Sequence, residues 1–193
     1  MKRFGLILAV SAVITLGLGG AALAAGYSGE HSHKQVALGF HSVEAPLGFR
    51  WWFPGRMVAL DLGFGFTSEP AAIDLNESEK SFAIEAGAPI VAYSWNRAHA
   101  LFRPGVLYQS EQIGFDADGV TPGVQFATEN QTTLDVMLEG EAEVFLVDNV
   151  SVSAAHGFGL RRFDPGFGAD SQTSFGTRGN NFTTIGFHLY MFK

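Results

Sequence analysis

Apolar side chains recur at every second position along this chain, and nearly all ionisable ones occupy the alternate register. Val58, Leu60, Leu62, Phe64 and Phe66 take one side of a run, while Asp61, Gly63 and Gly65 take the other. A β-strand points successive side chains to opposite faces, whereas an amphipathic helix repeats every three to four residues. No helical periodicity of useful length competes with the two-residue period. The chain must therefore fold into strands with one oily face and one polar face.

Eight such runs are predicted: Gln35–Ser42, Leu47–Phe53, Met57–Thr67, Ser81–Trp95, Ala100–Phe115, Thr132–Leu146, Val150–Phe163 and Phe182–Phe192. Pro54-Gly55-Arg56, Asn96-Arg97 and Asp148-Asn149 are tight-turn signals. Longer polar segments, Glu69–Lys80, Asp116–Gln131 and Asp164–Asn181, alternate with them, and Val43–Pro46 is a short exception. Tight turns at one end and long loops at the other predict an all-β, antiparallel up-and-down transmembrane β-barrel of about eight strands, its turns facing the periplasm. A tilted strand needs about 9–11 residues to cross hydrocarbon, so the second run is short.

The apolar register runs through Val36, Leu38 and Phe40, then Leu47, Phe49, Trp51 and Phe53, the set around Leu62, and Phe82 to Ile90. It continues through Phe102, Pro104, Val106 and Tyr108, Leu134 to Leu146, Val150 to Leu160, and Ile185 to Met191. Only His156 in that set ionises. A Lys or Arg facing lipid costs about 2–4 kcal/mol at the bilayer midplane, which explains their exclusion. The other register holds Arg50, Asp61, Glu85, Arg103, Asp135, Glu139, Glu141, Glu143, Arg161 and His188.

Eight strands enclose just enough width for side chains to fill, so these charges must pair. Arg50, Arg103 and Arg161 are expected to bridge to Asp61, Glu85 and the glutamates of the sixth run, with some surplus glutamates near the solvated rim or binding water. This network is read as structural filling, with a gated polar conduit as the alternative. Trp51, Trp52, Phe53, Tyr93, Trp95, Tyr190 and Phe192 sit at turn ends, where an interfacial girdle belongs. A soluble lipocalin-type barrel would exchange the faces. Its third strand would then show water only Met57, Ala59, Asp61, Gly63 and Gly65, too little polarity to dissolve it.

The N-terminus fits an export leader: Lys2 and Arg3, then apolar Leu6–Leu18, then a small-x-small site at Ala22-Leu23-Ala24. Residues 1–24 are expected to be a signal peptide and 25–193 one barrel domain. Without Lys2 and Arg3, ten basic residues face 19 acidic ones, a poor match for nucleic acid. Zero cysteines exclude disulfides, a lipoprotein anchor and thiolate chemistry.

The segment Leu47-Gly48-Phe49-Arg50-Trp51-Trp52-Phe53, followed by Val58-Ala59-Leu60-Asp61-Leu62-Gly63-Phe64-Gly65, resembles a pattern of small bacterial outer-membrane β-barrel proteins. That pattern is Gly-x-Arg-aromatic-Trp, then Leu-Asp-x-Gly-x-Gly, and the group is similar to the OmpA transmembrane domain, OmpX and OmpW. The resemblance implies insertion from the periplasm by the barrel-assembly machinery, contact with outer-membrane lipid and lipopolysaccharide, and no common activity. Lys193 after Phe192, and His188 at an expected apolar place, depart from the pattern and leave the facing of the last strand open.

Other chemistry is thin. His31 and His33 supply two imidazoles without a third ligand, so no metal site is expected. Gly63/Gly65 and Gly157/Gly159 lie inside strands with no helix following, which rejects a phosphate loop and leaves no cofactor. His156 with Ser151 or Ser153, and His41 with Ser42, are nucleophile–base candidates without diagnostic spacing. Glu69, Asp74, Glu77, Glu79, Asp116 and Asp118 read as a solvated surface, with divalent cations as the alternative. The expected role is a monomeric, non-enzymatic envelope protein, structural or acting through its loops. A narrow conduit for small hydrophobic solutes and a lipid A-modifying enzyme are the alternatives.

Overall fold

The computed structural model describes residues 35–40, 42–55, 57–70, 78–116, 126–177 and 183–192. The expected leader, His31, His33 and His41 lie outside the described residues. Among the described residues ten strands form in chain order: β1 (Val36–Phe40), β2 (Leu47–Trp52), β3 (Ala59–Pro70), β4 (Ser78–Gly87) and β5 (Ile90–Trp95). Then come β6 (Ala98–Asp116), β7 (Phe126–Val147), β8 (Val150–Asp164), β9 (Gln172–Gly176) and β10 (Thr183–Phe192). Every pairing is antiparallel, in the order β10-β1-β2-β3-β4-β6-β7-β8, and β10 pairs with β8 to close the ring. Because β4 and β5 both lie along β6, they make one broken stave, and the barrel has eight.

That break corrects the fourth predicted run, which read as continuous from Ser81 to Trp95. Pro89 has no N–H for the ladder and pushes the preceding Ala88 away from regular pairing. The backbone is still satisfied: Ala88 N–H donates to the Pro104 carbonyl at 2.9 Å, and Ala59 N–H to the Pro89 carbonyl at 2.8 Å. β9 is a second addition, built from a stretch that read as loop and paired with Gly159–Phe163 of β8. The β6–β7 hairpin also outruns its expected ends, pairing as far as Asp116 with Phe126. Pairing to its neighbours stops earlier, at Ser81–Glu111 on one side and Thr132–Asp164 on the other. The tip is thus a two-stranded ribbon clear of the barrel wall.

The outward register is exposed and oily on every stave, with Phe64, Ile84, Phe102, Val144, Phe158 and Phe187 among its members. Its small residues Ala88 and Val106 are covered among Ala86 and Leu134. Val58, expected on this face, is instead buried where it bridges to Ile90. The last strand follows the same rule as the others: Ile185, Phe187, Leu189 and Met191 face out, and His188 and Tyr190 face in.

Candidate functional site

The interior is stacked in layers, with the charged one at mid-height. Three of its pairs are direct cross-strand neighbours, where side chains on one face approach most closely: Arg50 with Asp61, Arg103 with Glu139, and Asp135 with Arg161. Arg50 grips Asp61 in a fork, Nε to Oδ1 at 2.7 Å and Nη2 to Oδ2 at 2.8 Å. Its Nη2 also donates to Glu141 at 2.8 Å, and Nη1 stands 3.3 Å from Glu143. Arg103 reaches the other side of Asp61 through Nε at 3.0 Å, and donates to Glu85 and Glu139 at 2.6 Å each. Its guanidinium lies across Gly87, where a Cβ would come within 2.8 Å of Nη2.

Two guanidiniums therefore hold five carboxylates drawn from β3, β4 and β7. Neutral donors meet part of the surplus: Ser42 Oγ donates to Glu85 at 2.9 Å, and Ser151 Oγ and Tyr190 OH donate to Glu143 at 2.6 and 2.8 Å. Glu139, Glu141 and Glu143 were expected to place some members at the solvated rim, but all three are buried. Consecutive odd positions on β7 put them along one inward column behind the guanidiniums. Arg161 was expected to share in bridging to Asp61, Glu85 and these glutamates; it binds Asp135 in a fork at 2.8 and 2.9 Å instead, nearer the loop end and partly exposed.

Below the charges, toward the tight turns, an aromatic layer crosses the bore. Trp52, Phe145 and Tyr190 are buried in it with Ala37, Ala59, Val91 and Leu101, and His99 stacks on Trp52 and Phe145. Trp52 Nε1 donates to the Tyr190 hydroxyl at 3.1 Å, so Tyr190 couples this layer to Glu143. Trp52 and Tyr190, expected in the interfacial girdle, lie inside the bore instead, because the two-residue period turns each of them inward. Trp51, Phe53, Tyr93 and Trp95 remain outside, with rings 5.1 Å apart in the first pair and 4.6 Å in the second. The side chain of Phe192 lies outside the described residues.

Above the charges the β1–β2 connection folds into the bore. Ala45 is fully buried against Ala83, Leu107 and Met137. Ser42 fixes the connection by accepting from Ala45 N–H at 3.1 Å while donating to Glu85. Gly63 and Gly65 make room for it: a Cβ at Gly65 would collide with the Glu44 carbonyl, and one at Gly63 would come within 3.0 Å of the Ala45 Cβ. Burial pushes the Glu44 carboxyl above the ordinary carboxylate value, with Glu85 and Asp135 adding to the rise. The inward glycine pair is the sequence signal for this loop, and it carries no periodicity that names the loop as its partner.

The candidate nucleophile–base pairing of His156 with Ser151 or Ser153, which lacked diagnostic spacing, is not brought together on β8. Ser151 and Ser153 point into the barrel, and His156 points out. Two Ser–His contacts that spacing did not suggest are present: Ser94 Oγ to His99 Nδ1 at 2.7 Å, and Ser151 Oγ to His188 Nδ1 at 3.5 Å. The Ser151 hydroxyl is directed to Glu143, so it is a structural donor.

No protein-family model and no curated protein matches the chain. Among solved structures it is similar to a major outer membrane protein from Thermus thermophilus, at 17% identity and a TM-score of 0.43, over 82% of this chain and 97% of that one. A likeness at that level assigns neither fold nor place; the eight-stave closed barrel rests on the strand pairing itself.

Proposed function

We propose that the chain is a non-conducting outer-membrane barrel, monomeric in lipid, whose role in the envelope is structural or carried by its loops rather than catalytic. The observation that carries this reading is the partition of the wall. Among the described residues, the outward belt from Leu60 to Phe66 on β3 carries no ionisable group, and on β8 the outward register from Val150 to Leu160 carries only His156 before Arg162 and Asp164 follow toward the loops, while Arg50, Arg103 and five carboxylates are enclosed. Such a surface suits acyl chains and is a poor one for water. Three obstructions support a closed bore: Ala45 with its connection, the Arg50–Asp61–Arg103 cluster, and the Trp52–Tyr190 layer.

The test joins two measurements on the purified full chain. Planar bilayers are expected to show no unitary conductance; a stable channel current overturns the closed bore. The protein is expected to need detergent or lipid to stay in solution; a dissolved monomer without either overturns the membrane assignment. Deletion in the producing cell is expected to leave lipid A masses unchanged, and a mass shift there overturns the non-catalytic role.

A further inference from the structure

The loop end of the barrel holds a cavity of about 230 Å³ above the folded-in connection. Val43 and Glu44 form its floor. Its wall carries Thr67, Ser81, Gln109, Gln131 and Thr133, with Phe163 beside them. These positions continue the inward columns of Asp61, Glu85, Arg103, Asp135 and Arg161, so five staves aim side chains at one space.

The chemistry of that wall is specific. Three hydroxyls and two carboxamides both donate and accept, and none carries charge. A ligand bearing several hydroxyls around a small ring meets such groups on every side. Anions are disfavoured, because Glu44 and Glu111 line the cup and the Arg161 guanidinium is engaged by both oxygens of Asp135. Phe163 offers an apolar surface suited to the C–H face of a sugar ring. The space falls below the roughly 300 Å³ at which drug-sized pockets begin, so it fits one ring and not two.

We propose that this cup binds a single neutral hexopyranose unit, as a free sugar or as the end of a glycan chain. The site is a property of the cup and does not depend on the closed bore below it.

Saturation-transfer NMR on the full chain in lipid nanodiscs tests the proposal, with no glucoside or maltoside detergent present. The probes are methyl α-glucopyranoside, methyl α-galactopyranoside, N-acetylglucosamine and maltotriose, with choline and inorganic phosphate as charged controls. At least one sugar is expected to receive transfer in the millimolar range and to shift the side-chain amides of Gln109 and Gln131. Maltotriose binding as well as the monosaccharides indicates a chain end; binding of monosaccharides alone indicates a free sugar. Gln109→Leu and Thr133→Val are each expected to weaken binding roughly five-fold, the worth of one neutral hydrogen bond. Ser81→Phe is expected to fill the cup and abolish binding, its folding checked by heat-modifiable gel mobility. The amide shifts need no variant, so a misfolded variant leaves the test intact. No transfer to any sugar, preference for choline or phosphate, or sugar binding that survives a folded Ser81→Phe overturns the proposal.

Discussion

Asp61 is the residue on which the interior turns, since it accepts from Arg50 on one side and Arg103 on the other. Removing one partner of a buried ion pair strands the rest and costs about 3–5 kcal/mol, whereas an exposed pair contributes at most about 1 kcal/mol. Arg103→Ala is therefore expected to lower stability by about 3–5 kcal/mol, because Asp61, Glu85 and Glu139 all lose a donor. Arg161→Ala is expected to cost less, about 1–3 kcal/mol, because its side chain is 31% exposed and solvent reaches the fork although Asp135 itself is buried. Urea unfolding in detergent, followed by tryptophan fluorescence, checks both. At Glu44 the sign follows from its raised carboxyl value: neutral Glu44 suits the folded state, and that contribution is present below the ordinary carboxylate range and lost as pH rises through the folded value. Glu44→Gln is expected to gain stability over the parent across that rise and to match it at lower pH, read by the same unfolding series. The inward charges were legible because the two-residue period names the face. Their partners were not: Arg161 meets Asp135 because strand alignment sets them opposite, and alignment is absent from a lone periodic run.

The elements that pattern reading caught are those with one face in oil. β3, β7 and β8 alternate through their wall-forming lengths and were visible for that reason. Past the wall the alternation weakens, so the β7 half of the β6–β7 tip and β9, whose Gln172–Phe175 are all exposed, read as loops. The break at Pro89 was signalled by proline chemistry, yet the apolar run on either side outweighed it. The folded-in β1–β2 connection was beyond reach of periodicity, since it is a tertiary contact that only Gly63 and Gly65 betray. Gly65→Val is expected to drive that connection out of the bore while leaving the staves paired. With no native cysteine to interfere, an Ala45→Cys variant reports it by maleimide labelling. Labelling is expected to be slow when Gly65 is present and about ten-fold faster with Gly65→Val, for about 1.4 kcal/mol of lost docking. Equal rates would show that the glycine does not hold the connection in place.

At the scale of the whole molecule, the wall separates two solvents. Leu62→Arg and Val136→Arg each place a charge on the outward belt, where it costs up to about 2–4 kcal/mol in a bilayer. Folding yield into vesicles, scored by gel mobility before and after heating, is expected to drop for both and to stay unchanged for Lys80→Ala at the loop end of β4. Undiminished yield with arginine at either belt position would reverse the assignment of that face. The fork shared by Arg50, Asp61 and Arg103 has a last consequence for how such a chain comes to rest. Its members arrive on β2, β3 and β6, separated by up to 53 positions, and β4 and β7 supply the remaining acids. An arc of sheet lacking any of these staves would carry naked ions into hydrocarbon at several kcal/mol apiece. Hairpin-by-hairpin descent is barred on those terms, and sealing the circle and sinking into lipid become one event.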